Sequence, residues 1–484
     1  MLSKSKYLNG LQCPRLLWIA VNEPDRLPAP NAATQHIFDQ GHLVGELAHR
    51  LFPGGVRIQT DDFGENIRQT RVLLKGRKPL FEAGITAGNL YARADILNPA
   101  GERAWDIIEV KSSTSVKDVN VEDAAFQKYC YEQAGLEINR CSIMHINNKY
   151  VRAGEIDPRQ LFASEDITGA VATASEGIQD RINDLLAVIA SETCQAPDIG
   201  PRCGDPYPCA LTECWDGLPE HHVFTLYYGG KKAYELYRSG IREIAGIPPG
   251  YKLNDKQRIQ CNCVVTGKTH TDKEAIRQFL AGLEYPLYYL DFETFGTAIP
   301  LFDGTRPYQN IPFQFSLHVQ ETPGGGLRHH SFLADGAGDP RPALLAELDR
   351  LISDKGCVIA YNKSFEENVL KDLGAGFPEH HDCIDNILSR MVDLIVPFRS
   401  FHYYHPSQKG SASLKSVLPA VTGSGYEDMA IARGDDASLA FLRITFEDVP
   451  PEEEAQVRAD LLNYCKLDTE GMVRIVERLG EIAG

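Results

Sequence analysis

Apolar and β-branched residues run through 85–97 and again through 105–110, with Asn98-Pro99-Ala100-Gly101 between them. A hairpin or a pair of neighbouring strands is predicted. From Val121 to Glu132 the spacing turns helical, and Arg140 to Ile146 returns to a strand-like run. Strand, strand, helix, strand is the order of a compact α/β unit. Residues 175–190 read as a further helix, and closely spaced Pro and Gly then break regular structure from Pro197 to Pro208. Residues 221–283 hold two more plausible helices.

The remaining chain opens with Pro286-Leu287-Tyr288-Tyr289-Leu290-Asp291, an apolar and aromatic strand that delivers an acid at its end. Pro312 to Val319 predicts another strand and Arg341 to Ser353 an amphipathic helix. Cys357 to Tyr361 predicts a third strand entering a helix at Ser364. Pro451 to Leu479 has the length and spacing of a long amphipathic helix. There is no internal sequence repeat and no low-complexity domain.

At 484 residues the chain exceeds the size at which one core keeps growing, so two main domains are expected, and 43% hydrophobic content supplies both cores. The start, Met1-Leu2-Ser3-Lys4-Ser5-Lys6, is basic, but no apolar stretch follows it. No later run approaches the roughly 20 apolar residues of a membrane helix. A cytoplasmic protein with no membrane partner is therefore expected. The formal charge of -17 opposes nonspecific attraction to nucleic acid. Clustered carboxylates become favourable, however, once divalent metals occupy them. Lys75, Arg77 and Lys78 form a small basic cluster whose ordinary reading is solvated surface.

Twelve cysteines are too sparse for a disulfide-stapled scaffold. Cys130, Cys141, Cys357, Cys383 and Cys465 sit singly in periodic or apolar surroundings and read as buried free thiols. Cys261 and Cys263 do not make a metal site by themselves. Cys203, Cys209 and Cys214 are closely spaced, and with Cys13 they supply four thiolates that can hold a [4Fe-4S] cluster or, as the alternative, structural zinc.

Three acidic blocks carry the candidate chemistry of the second half. Asp291 and Glu293 share one face of a strand end, because side chains repeat every two residues. Tyr464 and Asp468 have helical i,i+4 spacing, which places phenol and carboxylate together. Glu366 follows the Cys357 to Tyr361 strand. Bound by Asp291, Glu293, Glu366 and Asp468, Mg²⁺ or Mn²⁺ can activate water and neutralise phosphate charge, with Tyr464 orienting the attacking water. Asn362 and Phe365 cap and pack a helix, and Asp393 stands behind the site.

These blocks, Asp291-Phe292-Glu293, Asn362-Lys363-Ser364-Phe365-Glu366 and Tyr464-Cys465-Lys466-Leu467-Asp468, resemble the tyrosine-containing branch of the DEDD exonuclease superfamily over about residues 285–480. The resemblance implies a ribonuclease H-like fold and removal of nucleotides from 3′ ends. Glu366 stands where the family usually has Asp.

In the first half, Asp95 and Glu109-Val110-Lys111 converge if the predicted strands pair. Two carboxylates then face a lysine able to stabilise phosphate charge. The helix that follows presents Gln127 and Tyr131 on one face. This set resembles RecB-like nucleases and the CRISPR-associated adaptation nuclease of the PD-(D/E)XK superfamily over about residues 1–218. It implies a preference for DNA and metal-dependent hydrolysis. The family's histidine slot holds Gly45 here, with His42, Glu46 and His49 nearby. Cys13 with Cys203, Cys209 and Cys214 resembles the iron-sulfur clamp of the same group, with Cys194 as a substitute.

Together the two halves resemble an uncharacterised bacterial and phage-associated family that fuses a RecB-like nuclease to a DEDD exonuclease. The implied α/β architecture is a PD-(D/E)XK nuclease-like domain with a Cys-bound metal cluster at 1–218, a helical connector at 219–284 and a ribonuclease H-like domain at 285–484. The implied function is DNA hydrolysis from an accessible 3′ end in repair or defence, with RNA open as a substrate. The resemblance also implies a second nuclease centre in the first half. The alternatives are a carboxyl-terminal exonuclease with a DNA-binding platform, and an inactive nucleic-acid scaffold.

Overall fold

The computed structural model describes residues 1–60, 62–426, 429–431 and 433–484. It contains two compact units, one of Met1–Asp216 with Thr297–Gln309 and one of Gly217–Gly296 with Asn310–Gly484. Both are mixed α/β. Among the described residues no helix is long and apolar enough to cross a membrane.

The first unit is built on a sheet ordered β2-β3-β4-β5-β6-β7, with β1 alongside β4. Its strands are β1 (Leu2–Ser3), β2 (Val56–Arg57), β3 (Leu80–Ala87), β4 (Leu90–Ala100), β5 (Ala104–Lys111), β6 (Ile138–Ile146) and β7 (Phe162–Asp166). The run 85–97, which reads as one strand, is divided by Gly88 at φ +57°, a left-handed turn that sends the chain back as β4. β4 is antiparallel to β3 and β5, whereas β5 and β6 are parallel. Along β5 the two-residue repeat buries Trp105, Ile107 and Glu109 in turn. A carboxylate thus enters a face otherwise built for apolar packing. The Asp118–Gln133 helix covers that face with Ala124, Ala125, Phe126, Cys130 and Tyr131.

The second unit includes the helices Gly230–Arg238, Asp255–Thr266 and Lys273–Ala281, followed by a five-stranded sheet ordered β11-β10-β9-β12-β13. A two-stranded ribbon pairs β8 (His270–Thr271) with β14 (Tyr403–Tyr404). The sheet strands are β9 (Leu287–Phe295), β10 (Ile311–Gln320), β11 (Leu327–Leu333), β12 (Cys357–Ala360) and β13 (Met391–Asp393). Central β9 runs antiparallel to β10 and parallel to β12. Its alternation sorts two cores. Tyr288, Leu290 and Phe292 pack with Leu344, Leu348, Val369 and Leu370, while Leu287 and Tyr289 pack with Val417, Leu418, Met472 and Ile475. Each fully buried side chain of this kind contributes about 1.5–3 kcal/mol. Asp291 and Glu293 continue the second series, so the repeat that builds the core also carries both acids toward the Pro451–Ala483 helix.

The Cys-bound cluster expected in the first unit is not supported. Among the described residues, the one group of three or more His, Cys, Asp or Glu whose ligand atoms lie within 4.8 Å of one another is Asp291, Glu293 and Cys465, in the second unit. Cys13, Cys203, Cys209 and Cys214 form no disulfide. Cys13 ends one helix and begins the next. Cys209 and Cys214 pack against Leu16, Trp18, Ile19 and Leu211. Gly200 N–H approaches Cys203 Sγ at 3.5 Å. Desolvation in this apolar setting raises the Cys209 and Cys214 thiols above their ordinary range. Among the described residues the cysteine that joins a metal-type donor set is Cys465, and the expected [4Fe-4S] clamp is withdrawn.

Candidate metal centre

Asp291 and Glu293 leave β9 on one face, and across from them the long helix presents Tyr464, Cys465 and Asp468. Helix and strand are tied together on both sides of the site. Gln314 Nε2 donates to the Leu461 carbonyl at 2.8 Å, while Thr469 Oγ1 meets Ser316 Oγ at 2.7 Å and His318 Nδ1 at 2.8 Å. Gln314 and Ser316 are the β10 residues in register with Glu293 and Asp291. These bonds therefore fix the height of the helix beside the two acids. Cys465 Sγ lies 3.4 Å from Asp291 Oδ2.

Glu366 arrives from the neighbouring strand, β12, which runs parallel to β9. β12 stops at Ala360, and Asn362 adopts φ +65°, a left-handed turn that starts the Ser364–Gly376 helix. Asp393 stabilises the turn by accepting the Asn362 N–H at 2.9 Å and the Ile395 N–H at 3.1 Å. Glu366 is 3% exposed, and its Oε2 has no hydrogen-bond partner. A buried carboxylate oxygen without a donor is costly unless a cation meets it.

The electrostatics agree. Burial, followed by the charges of Asp468, Glu293 and Glu366, raises Asp291 well above the usual carboxylate range. Burial and Asp468 push Glu293 to about 8. Burial pushes Glu366 to about 8, with Asp393 and Glu367 adding to it. Asp468 is pushed by burial to about 6 and is restrained by hydrogen bonds from Tyr426 and Tyr464 and by the charge of Lys415. A divalent ion supplies the missing positive charge, and hard carboxylate oxygens suit Mg²⁺ or Mn²⁺. The donor set fits a divalent metal, and the thiol of Cys465 adds a softer donor.

Three participants escape sequence reasoning. Cys465 reads as an ordinary buried thiol because it sits singly in a periodic stretch. Tyr426, whose Oη donates to Asp468 Oδ1, lies in a stretch without periodicity. Lys415 lies over the rings of Tyr464 at 5.2 Å and Tyr426 at 5.7 Å. Its signal is only that it opens the Leu414–Thr422 helix, whose Leu418 packs on the long helix at Gly471.

In the first unit the structure also assembles the expected residues, but differently. Asp95 and Glu109 are cross-strand neighbours, and Lys111 Nζ donates to Glu109 Oε2 at 2.9 Å and to Asp123 Oδ2 at 3.0 Å. Gln127 Nε2 donates to Asp123 Oδ1 at 2.9 Å, and its own Oε1 is buried without a partner. Tyr131 bonds to the backbone and not to the acids. Its Oη donates to the Ala83 carbonyl and accepts from the Ala94 N–H, holding the helix to β3 and β4. Glu46 pairs with Arg57, and His49 stacks on Phe81. Arg77 covers the Trp105 ring and donates to carbonyls of the β4–β5 turn.

The second unit thus contains a buried, carboxylate-rich candidate metal centre. Residues 288–413 match the model of a domain of unknown function, DUF2779. That stretch includes Asp291, Glu293, Glu366 and Lys415's neighbours before 414, and it ends short of Tyr464, Cys465 and Asp468. The chain is 26% identical over 206 residues to the "Uncharacterized protein MG366 homolog" of Mycoplasma pneumoniae, covering 39% of this chain and 31% of that protein. It is 26% identical over 207 residues to "Uncharacterized protein MG366" of Mycoplasma genitalium, with the same coverage. The matched region is about a third of the length of these curated relatives.

Proposed function

We propose that the second unit is a divalent-metal-dependent exonuclease that shortens DNA from a 3′ end, and that the first unit is its DNA-binding platform. The observation that carries this reading is the meeting of Asp291, Glu293 and Cys465 ligand atoms within 4.8 Å, beside a buried and unpartnered Glu366 oxygen. The three-block resemblance to DEDD exonucleases supports the reaction class.

Asp291 and Glu293, with Glu366 and Asp468, would hold the ion, which would supply charge neutralisation at the phosphate and activation of water. The Tyr464 phenol is raised by burial and by Asp468, so it stays protonated and orients the water by hydrogen bonding. Tyr426 restrains Asp468. Lys415 adds a positive charge on the tyrosine side, where a phosphate oxygen is drawn in.

The test is degradation of end-labelled single-stranded DNA, duplex DNA and RNA with Mg²⁺ or Mn²⁺. The wild type is compared with Asp291→Asn/Glu293→Gln and with Glu109→Gln/Lys111→Met. Loss of 3′ trimming in the first variant and its retention in the second is expected. Equal trimming by all three proteins overturns the assignment.

A further inference from the structure

The resemblance of the first unit implies a divalent ion between Asp95 and Glu109, but the residues there do not fit one. Lys4 Nζ lies 3.0 Å from Glu109 Oε2, 3.8 Å from Asp95 Oδ1 and 4.0 Å from Asp123 Oδ2. Lys111 faces Glu109 and Asp123 from the other side at 2.9 and 3.0 Å. Two ammonium groups therefore stand among three carboxylates.

Every oxygen of these acids already has a partner. Asp95 Oδ2 accepts the Val110 N–H at 2.8 Å, Glu109 Oε1 accepts the Asp95 N–H at 3.2 Å, and Asp123 Oδ1 accepts from Gln127. The other three oxygens face the lysines. Glu366 in the second unit, with its orphaned Oε2, is the contrast. A metal entering the first cluster would have to displace an ammonium and would meet its repulsion at short range.

Lys4 is not a wandering side chain. Leu2 and Ser3 pair with Leu90 and Tyr91 of β4, Leu2 is fully buried, and Leu2 N–H donates to the Asn89 carbonyl at 2.8 Å. Ser3 caps the helix that Lys4 begins. Three residues on, Tyr7 stacks on Phe126 with ring centroids 4.7 Å apart. Strand pairing, cap and stacking together hold the Lys4 backbone beside Asp95.

We propose that Lys4 is a built-in counter-ion that takes the place of a divalent cation in the Asp95, Glu109 and Asp123 cluster. The cluster then locks the amino-terminal helix to the sheet, and the first unit is closed to metal. This goes beyond the reading of the second unit and does not depend on it.

The test is Mn²⁺ binding by electron paramagnetic resonance on the full chain carrying Asp291→Asn/Glu293→Gln, which silences the other centre. With Lys4 intact, this protein is expected to gain no Mn²⁺ site that depends on Glu109. Adding Lys4→Gln is expected to create one Mn²⁺ per chain, bound at least about tenfold more tightly, and adding Glu109→Gln should abolish it. A Glu109-dependent Mn²⁺ site with Lys4 intact overturns the proposal, as does a natively folded Lys4→Gln protein that gains none. If Lys4→Gln fails to fold, acetylation of the Lys4-containing protein decides. Lys4 should stay protected relative to Lys75 at every Mn²⁺ concentration, and exposure of Lys4 by Mn²⁺ overturns the proposal.

Discussion

Replacing Glu293 with Gln should stabilise the metal-free protein at pH 8 and leave it nearly unchanged at pH 5. Burial and the Asp468 charge push Glu293 from 4.5 to about 8 in the fold, whereas in the unfolded chain it titrates near its ordinary value of roughly 4.3. Between those two values the folded state binds more protons than the unfolded state, so its stability falls as pH rises. At about 1.4 kcal/mol per pH decade, the full difference is on the order of 5 kcal/mol at pH 8. Because the neighbouring carboxylates share the strain, roughly 2–4 kcal/mol is expected from one substitution. With a urea m-value of about 2–3 kcal/mol per M, the denaturation midpoint of Glu293→Gln should rise by about 1 M at pH 8. The assay is urea unfolding in a chelating buffer, followed by far-ultraviolet circular dichroism at pH 5, 6.5 and 8. Mn²⁺ should then stabilise the wild type at pH 8, where the acids are more readily ionised, and less so at pH 5. A midpoint difference that does not change with pH would refute the reasoning.

Other substitutions separate the participants of the centre. Tyr464→Phe should lower 3′ trimming by about 10²-fold or more while leaving Mn²⁺ affinity within a few-fold, read by single-turnover rates and equilibrium dialysis. Glu366→Gln should weaken both metal binding and trimming, and unchanged activity would remove it from the donor set. Cys465→Ala should reduce Cd²⁺ affinity by about tenfold and affect Mn²⁺ little, because a thiol favours the softer ion. Gly356→Ala should destabilise the second unit by roughly 2–4 kcal/mol by urea unfolding, since Gly356 has φ +80° and an added Cβ would stand 1.9 Å from the Pro286 carbonyl oxygen.

Periodicity made the main secondary elements legible. The predicted strand ending at Asp291 is part of β9, the helix after Tyr361 begins at Ser364, and the long closing helix spans Pro451–Ala483. Each has a strong two- or 3.6-residue repeat and a buried face. What the pattern missed lacks such a repeat or depends on tertiary partners. β11 alternates little and has no fully buried residue, with histidines where apolar residues would signal a strand. The Gly434–Phe446 helix becomes understandable only when Phe441 is seen stacked on Phe313 at 4.1 Å. The cysteines misled for a related reason. The fold brings Cys13, Cys203, Cys209 and Cys214 within electrostatic reach of one another, but among the described residues the donor atoms that meet within 4.8 Å are those of Asp291, Glu293 and Cys465.

The two acidic sets show why residue type alone does not define a metal centre. Each places carboxylates at adjoining strand positions and adds residues from a covering helix, so each has the same appearance in sequence. In the first unit the acids find two lysines and several N–H donors: Glu109 is held well below the usual carboxylate range by Lys111 and Lys4 acting against its burial, while burial and the Glu109 charge push Asp95 up to about 7. In the second unit Asp291, Glu293, Glu366 and Asp468 are all held above their ordinary values. The first arrangement sets two ammonium groups against three carboxylates, and drawing in a cation would displace one of them. The second carries an unmet requirement, and a divalent ion lowers its free energy while creating the field that phosphodiester hydrolysis needs. Whether ammonium groups already stand against the carboxylate oxygens, as Lys4 and Lys111 do in the first unit, or leave a buried oxygen such as Glu366 Oε2 without a donor, is therefore the physical property that separates the two acidic sets.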